Sequence, residues 1–314
     1  MKSIIYGFLG LVLCIASIYI FIPDQIIIST TEQVESSDRV ISEYLNSNSK
    51  RQQWWPKISS RKSITPDITN PDLNGYEYQF KPGNSSSTNV LIIKKDLKIN
   101  SVIFWQSLNR STYKITWRTV LRASKNPIER LLQYQEARQV KQNMNLIFID
   151  FLTFIAENKN VYQFNIERRM VKDTILATSS MLSASYPETT KIYNLIDEVR
   201  AYAVKHGSKP VNVPMLNVSR DPKGEYLTIV AIPIDKNIKT SKSVKVKYMV
   251  PGNILVTEVK GGPGKVAEGF NQMKNYINDF KLMSPAIPFE SLVTDRVKES
   301  DTSKWITRIY YPIF

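Results

Sequence analysis

The sequence predicts an α+β chain in three parts: an N-terminal transmembrane helix, a sheet-and-helix domain, and a duplicated strand-helix-strand-strand domain with pseudo-twofold symmetry. Three observations predict it. Ser3 to Ile22 carries no charged residue. Residues 25–158 alternate strand-like runs and end in a long apolar-faced helix. The remaining chain repeats itself: Arg169 to Thr178 lies over Tyr248 to Thr257 at an offset of 79 (249 − 170). The offset becomes 74 for Tyr202 and Tyr276, Pro214 and Pro288, and Asp221 and Asp295, then returns to 79 for Pro233 and Pro312. Two copies are too few for a stacked solenoid and close more naturally about a twofold axis, whose seam invites a ligand. The expected boundaries are 1–24 for the anchor, 25–158 for the first domain and 159–314 for the second, with repeats at about 160–235 and 243–314.

The uncharged run is long enough for a hydrocarbon core about 30 Å thick. It lacks the small-residue cleavage site of a secretory signal, and Leu13 precedes Cys14 where a lipoprotein site wants a small residue. The expectation is an uncleaved single-pass anchor in a cell membrane. Lys2 precedes the span while Asp24, Glu32 and Glu35 follow it, which places the bulk outside the cytoplasm.

In the first domain, Gln25 to Thr30 reads as a strand and Ser37 to Leu45 as a helix, followed by Trp54-Trp55-Pro56. Tyr76 to Phe80, Asn89 to Ile93, Ile99 to Leu108 and Thr112 to Arg122 read as strands. Val140 to Asn158 reads as a helix with Met144, Ile147, Phe148, Phe151, Leu152 and Ile155 on one side. This order resembles the START-like helix-grip fold of the polyketide-cyclase (SRPBCC) type, in which a pocket lies between helix and sheet. That pocket is either open or filled by aromatic side chains.

In the second copy, Ile254 to Val259 is a short β-branched strand stopped by Gly261-Gly262-Pro263-Gly264. Val266, Phe270, Met273, Ile277 and Phe280 then recur at helical spacing. The first copy matches with Ile192, Leu195, Ile196, Val199, Tyr202 and Ala203, ending at His206-Gly207. Strands follow at Val213 to Val218 and Tyr226 to Ile232, and in the second copy at Phe289 to Thr294 and Trp305 to Tyr311.

This unit resembles the GyrI-like effector-binding domain of AraC-type and related multidrug-sensing regulators. The resemblance rests on Asp197-Glu198-Val199 with Tyr202, on Gly262-Pro263, on Pro288 to Asp295, and on Ile309-Tyr310-Tyr311-Pro312-Ile313. It covers about half the chain and implies a small-molecule cavity with a glutamate, matched here by Glu290. Gly264 stands where members often carry an aromatic residue, which alters the cavity wall. No DNA-reading motif accompanies the unit, so direct transcriptional regulation is not expected.

The net charge of +14 comes from scattered lysines; the densest run, Lys236 to Lys247, falls between the repeats and reads as a solvated connection or a lipid-headgroup contact. Nucleic acid is not an expected partner. The single Cys14 and single His206 exclude a disulfide and a thiolate or histidine-rich metal cluster, and no cofactor motif appears. Val266 stands where a phosphate loop after Gly261 requires Ser or Thr.

Glu290 is the residue singled out for chemistry. It shares a strand face with Leu292 and Thr294, and its repeat mate is Leu216. A carboxylate there is costly unless it meets a cationic or hydrogen-bonding ligand or a structural partner such as Arg308. Tyr248, Trp305, Tyr310 and Tyr311 are the aromatic candidates to border the same cleft, a lining suited to lipophilic cations. The expected function is membrane-tethered binding of a small, largely apolar or cationic molecule between the repeats. The alternative is a hydrolase or cyclase using Glu290 as acid/base on a lipophilic substrate.

Overall fold

The computed structural model describes residues 2–56, 71–84, 86–172 and 174–314. Asp173, within the aligned repeat, lies outside them. The chain forms two compact units, Met1–Glu157 and Asn158–Phe314.

The first unit opens with α1 (Lys2–Phe21), and here one expectation is overturned. Among the described residues no helix is long and apolar enough to cross a membrane. The anchor over 1–24 and the single-pass membrane placement therefore do not stand. The physical reason is visible at the helix's end, which is tied to the folded unit. The Tyr19 hydroxyl donates to the Lys125 carbonyl, the buried Arg130 guanidinium lies 4.9 Å over the Tyr19 ring, and Arg130 Nε donates to the Ile22 carbonyl at 3.0 Å. These contacts hold the last turn of the helix against the folded unit.

Beyond it, β1 (Gln25–Glu35), β3 (Tyr76–Pro82), β4 (Ser87–Lys94), β5 (Leu97–Ser107) and β6 (Thr112–Arg122) form an antiparallel sheet, with the short β2 (Asp72–Leu73) at one edge. The strand order is β1-β6-β5-β4-β3-β2. Helices α2 (Asp38–Asn46) and α3 (Asn48–Trp54) follow β1, and α4 (Pro127–Ala156) closes the unit against it. Helix α4 starts well before Val140: the Asn126 side chain accepts from the Ile128 and Glu129 amides and Pro127 stands in the first turn, a capped start. The interior is filled by Tyr44, Trp54, Tyr78, Trp117, Phe148 and Phe151, all buried.

In the second unit, α5 (Asn158–Tyr162) and β7 (Glu167–Met170) precede β8 (Ile175–Ser183), α6 (Thr189–Lys205), β9 (Met215–Arg220) and β10 (Tyr226–Pro233). Then β11 (Lys245–Tyr248) precedes β12 (Asn253–Lys260), α7 (Pro263–Asp279), β13 (Phe289–Leu292) and β14 (Ile306–Ile313). The sheet order is β11-β8-β10-β9-β13-β14-β12-β7. This order reads the same from both ends once the copies are superposed. The leading strands are exchanged: β7, which opens the first copy, pairs with β12 of the second, while β11 pairs with β8 of the first. Glu290 pairs directly with Leu216, its own repeat mate (290 − 216 = 74), so the pseudo-twofold axis passes through that pair.

Both helices cover one face. Ile192, Ile196, Val199 and Ala203 of α6 pack on Ala177, Val230, Ile232 and Leu216. Helix α7 approaches through Gly269, where an added Cβ would stand 2.7 Å from Ile309 Cδ1 and 2.8 Å from Val259 Cγ2. A side chain there would force Ile309 or Val259 to shift.

Candidate functional site

The sheet of the second unit has two chemically different faces at its seam. Strand alternation and register place Leu216, Glu290, Thr307 and Ile309 on the helix-covered face, and Met215, Asn217, Ala231, Phe289 and Tyr310 on the other.

On the helix-covered face, the Glu290 side chain is 12% exposed and its Oε2 accepts from Arg296 Nη2 at 2.9 Å. The cation is therefore Arg296; Arg308 pairs with Glu258 at 3.1 Å. Arg296 Nη2 also donates to Thr307 Oγ1 at 2.9 Å, and its guanidinium lies 5.0 Å over the Trp305 ring. Trp305 is fixed by its indole N–H donating to the Glu299 carbonyl, and Tyr193 of α6 accepts from the Arg296 amide. Burial pushes the Glu290 carboxyl above the usual carboxylate range, and Arg296 pulls it back only in part. Burial first, and then the Glu290 charge, also raise the nearby Tyr186 hydroxyl.

The opposite face holds a cavity of about 460 Å³. Its walls come from both repeats: Leu176, Met215 and Ala231 from the first, Phe289 and Ile313 from the second, with Met249 closing over them. One polar atom stands out. Asn217 lines the cavity; its Nδ2 donates to the Pro288 carbonyl at 2.8 Å, while its Oδ1 is buried with no partner. Lys247 is the charged side chain in the lining.

The five residues singled out from the sequence are not gathered at one place. Tyr248 lines the cavity and is largely exposed. Tyr310 stacks on Phe289 at 4.9 Å and lines an adjoining recess. Trp305 stands with Glu290 through Arg296 on the helix-covered face. Tyr311 packs edge-on to Phe270 of α7 at 6.0 Å, and burial raises its hydroxyl. Asn217 was not among the candidates, because in an alternating strand it reads as an ordinary polar position. His206 stacks on Tyr202 and its Nδ1 meets the Tyr202 carbonyl at the end of α6, a helix-terminal role. Among the described residues no group of acidic, histidine or cysteine side chains could hold a metal ion.

No family model matches the chain, and no curated protein does. Among solved structures it is similar to the C-terminal domain of EcmrR, at 12% identity and a TM-score of 0.42, over 48% of this chain and 98% of that domain. It is similar to SAV2435 bound to tetraphenylphosphonium, at 14% identity and a TM-score of 0.33, over 48% of this chain and 93% of that one. A hydrolase from Listeria innocua is similar at 10% identity and a TM-score of 0.36, over 48% of this chain and 91% of that one. At these values the likenesses carry nothing about ligand or activity.

Proposed function

We propose that the Asn158–Phe314 unit binds a small, largely apolar molecule in the cavity at the seam of its two repeats. The observation that carries this reading is the cavity itself, about 460 Å³ and apolar, with a buried acceptor, Asn217 Oδ1, left unpaired in its wall. Ligand sites typically span about 300–1,000 Å³ with a few placed polar groups. An unpaired buried carbonyl costs about 1–3 kcal/mol, so a ligand that donates a hydrogen bond there regains that energy. Tyr248 contributes an aromatic surface to the lining. Glu290, on which a hydrolase or cyclase reading depends, sits on the other face and is held by Arg296, so the reading here is binding.

Fluorescence titration with N-phenyl-1-naphthylamine, a neutral apolar probe with one N–H donor, tests this. Saturable binding is expected in the full chain and lost in Ala231→Phe, whose ring fills the cavity. Equal binding by that variant overturns the assignment.

A further inference from the structure

The seam cavity does not end at its apolar wall. A second recess of about 250 Å³ lies on the same face, and Val171, Met215, Met249 and Phe289 line both. The two therefore adjoin along the sheet. Their chemistry differs sharply: the recess adds Arg169, Lys172 and Arg308, and among the described residues neither lining includes an Asp or Glu side chain. Arg169 and Arg308 already meet Glu167 and Glu258, in pairs that are about half exposed and so weak. Lys172 and, at the cavity, Lys247 have no carboxylate partner among the described residues. Glu290, at the seam itself, is on the opposite face.

We propose that the occupant is an anionic amphiphile, with its apolar body in the larger cavity and its acidic head in the basic recess beside Lys172. This rests on the reading of the seam cavity as a small-molecule site. An apolar pocket opening into a cluster of cations discriminates by charge: the body supplies area removed from water, and the head meets the Lys172 ammonium and two guanidinium groups whose own ion pairs are exposed and weak. A lipophilic cation fits the same apolar volume and meets like charge at Lys247 and Lys172. The net charge of +14 adds a field of the same sign.

The experiment uses two probes of one shape, N-phenyl-1-naphthylamine and 1-anilinonaphthalene-8-sulfonate, which differ by the sulfonate, titrated into the full-length protein. The sulfonate is expected to bind about tenfold or more tightly at low salt, a difference of about 1.4 kcal/mol. That preference should shrink as salt is raised. It should also shrink in Lys172→Gln and further in Lys172→Gln/Lys247→Gln, and Ala231→Phe should abolish binding of both probes. Far-UV circular dichroism confirms that each variant is folded, with Ile229→Phe as the replacement if Ala231→Phe is not. Binding of the neutral probe without preference for the sulfonate overturns the anionic class and leaves the seam site standing. Sulfonate binding that survives the filled cavity places the anion elsewhere and also overturns it. Failure of both probes to bind overturns the seam reading beneath it.

Discussion

Removing Arg296 should trap a charge, and the cost should depend on pH. The Glu290 and Arg296 side chains are 12% and 10% exposed, so neither is relieved by water. In Arg296→Met the carboxylate loses its cation, the Thr307 hydroxyl loses its donor, and burial acts on Glu290 unopposed. Breaking such a pair costs about 3–5 kcal/mol. The penalty has a ceiling, because Glu290 escapes it by taking up a proton. From an ordinary carboxylate value of about 4.3, neutralisation at pH 7 costs about 3.7 kcal/mol at 1.36 per unit. The expected loss is therefore about 3 kcal/mol at pH 7, or about 6–12 °C in the melting of a unit this size. The sign follows from linkage. A carboxyl raised in the folded state contributes stability that is fully present below its unfolded value and lost as pH rises through its folded one. The variant should approach the wild type as pH falls towards 4, and Glu290→Gln/Arg296→Met should recover most of the loss at pH 7. Thermal melts of the three proteins across pH 4 to 8 read this directly. An equal deficit at both ends, or a double variant no better than Arg296→Met, would show that the cost is packing rather than charge.

Other outcomes follow from single contacts. Gly269→Ala should destabilise by about 1–2 kcal/mol, because the clash with Ile309 and Val259 exceeds the gain in helix propensity; chemical denaturation measures it. Arg51→Lys should cost about 1–2 kcal/mol in the first unit's melt. The buried guanidinium, its pKa lowered to about 10 by burial, donates to the Leu45 carbonyl and Asn48 and lies 4.1 Å over Phe80, and an ammonium cannot reproduce that fork. Asn217→Ala should weaken binding of the neutral probe about fivefold, the scale of one ~1 kcal/mol hydrogen bond, as read by the same titration.

The helical faces were legible from spacing alone. Ile192, Ile196, Val199 and Ala203 are buried on α6, and Val266, Met273 and Ile277 on α7. A leucine mate opposite Glu290 announced a carboxylate in apolar surroundings, and its side chain is nearly buried. Its partner was not legible, because Arg296 folds back from the loop after β13 while the cross-strand geometry pointed to Arg308. The exchange of β7 and β11 was hidden for a related reason: both are short and lie beside their own copies in sequence, and only pairing energetics sends them across. The early start of α4 had a signal, Asn126-Pro127, but before Val140 only Arg130 and Ala137 are buried, so no apolar stripe marked it. The apolar run of α1 was read by composition, which says nothing of the contacts that Arg130 and Lys125 make with its end. The seam cavity draws its lining from strands, the turn at Pro251 and the segment at Pro285 together, a convergence that no single stretch displays.

The central claim, an apolar ligand held at the seam on the face away from α6 and α7, is tested most directly by methyl NMR on methionine-labelled protein. Met215 and Met249 line the cavity; Met144 is buried in the first unit and Met273 beneath α7. Titrating N-phenyl-1-naphthylamine should shift the Met215 and Met249 methyl signals by ring currents while those of Met144 and Met273 stay in place. Saturable shifts at Met144 or Met273 with Met215 and Met249 unmoved would contradict the account.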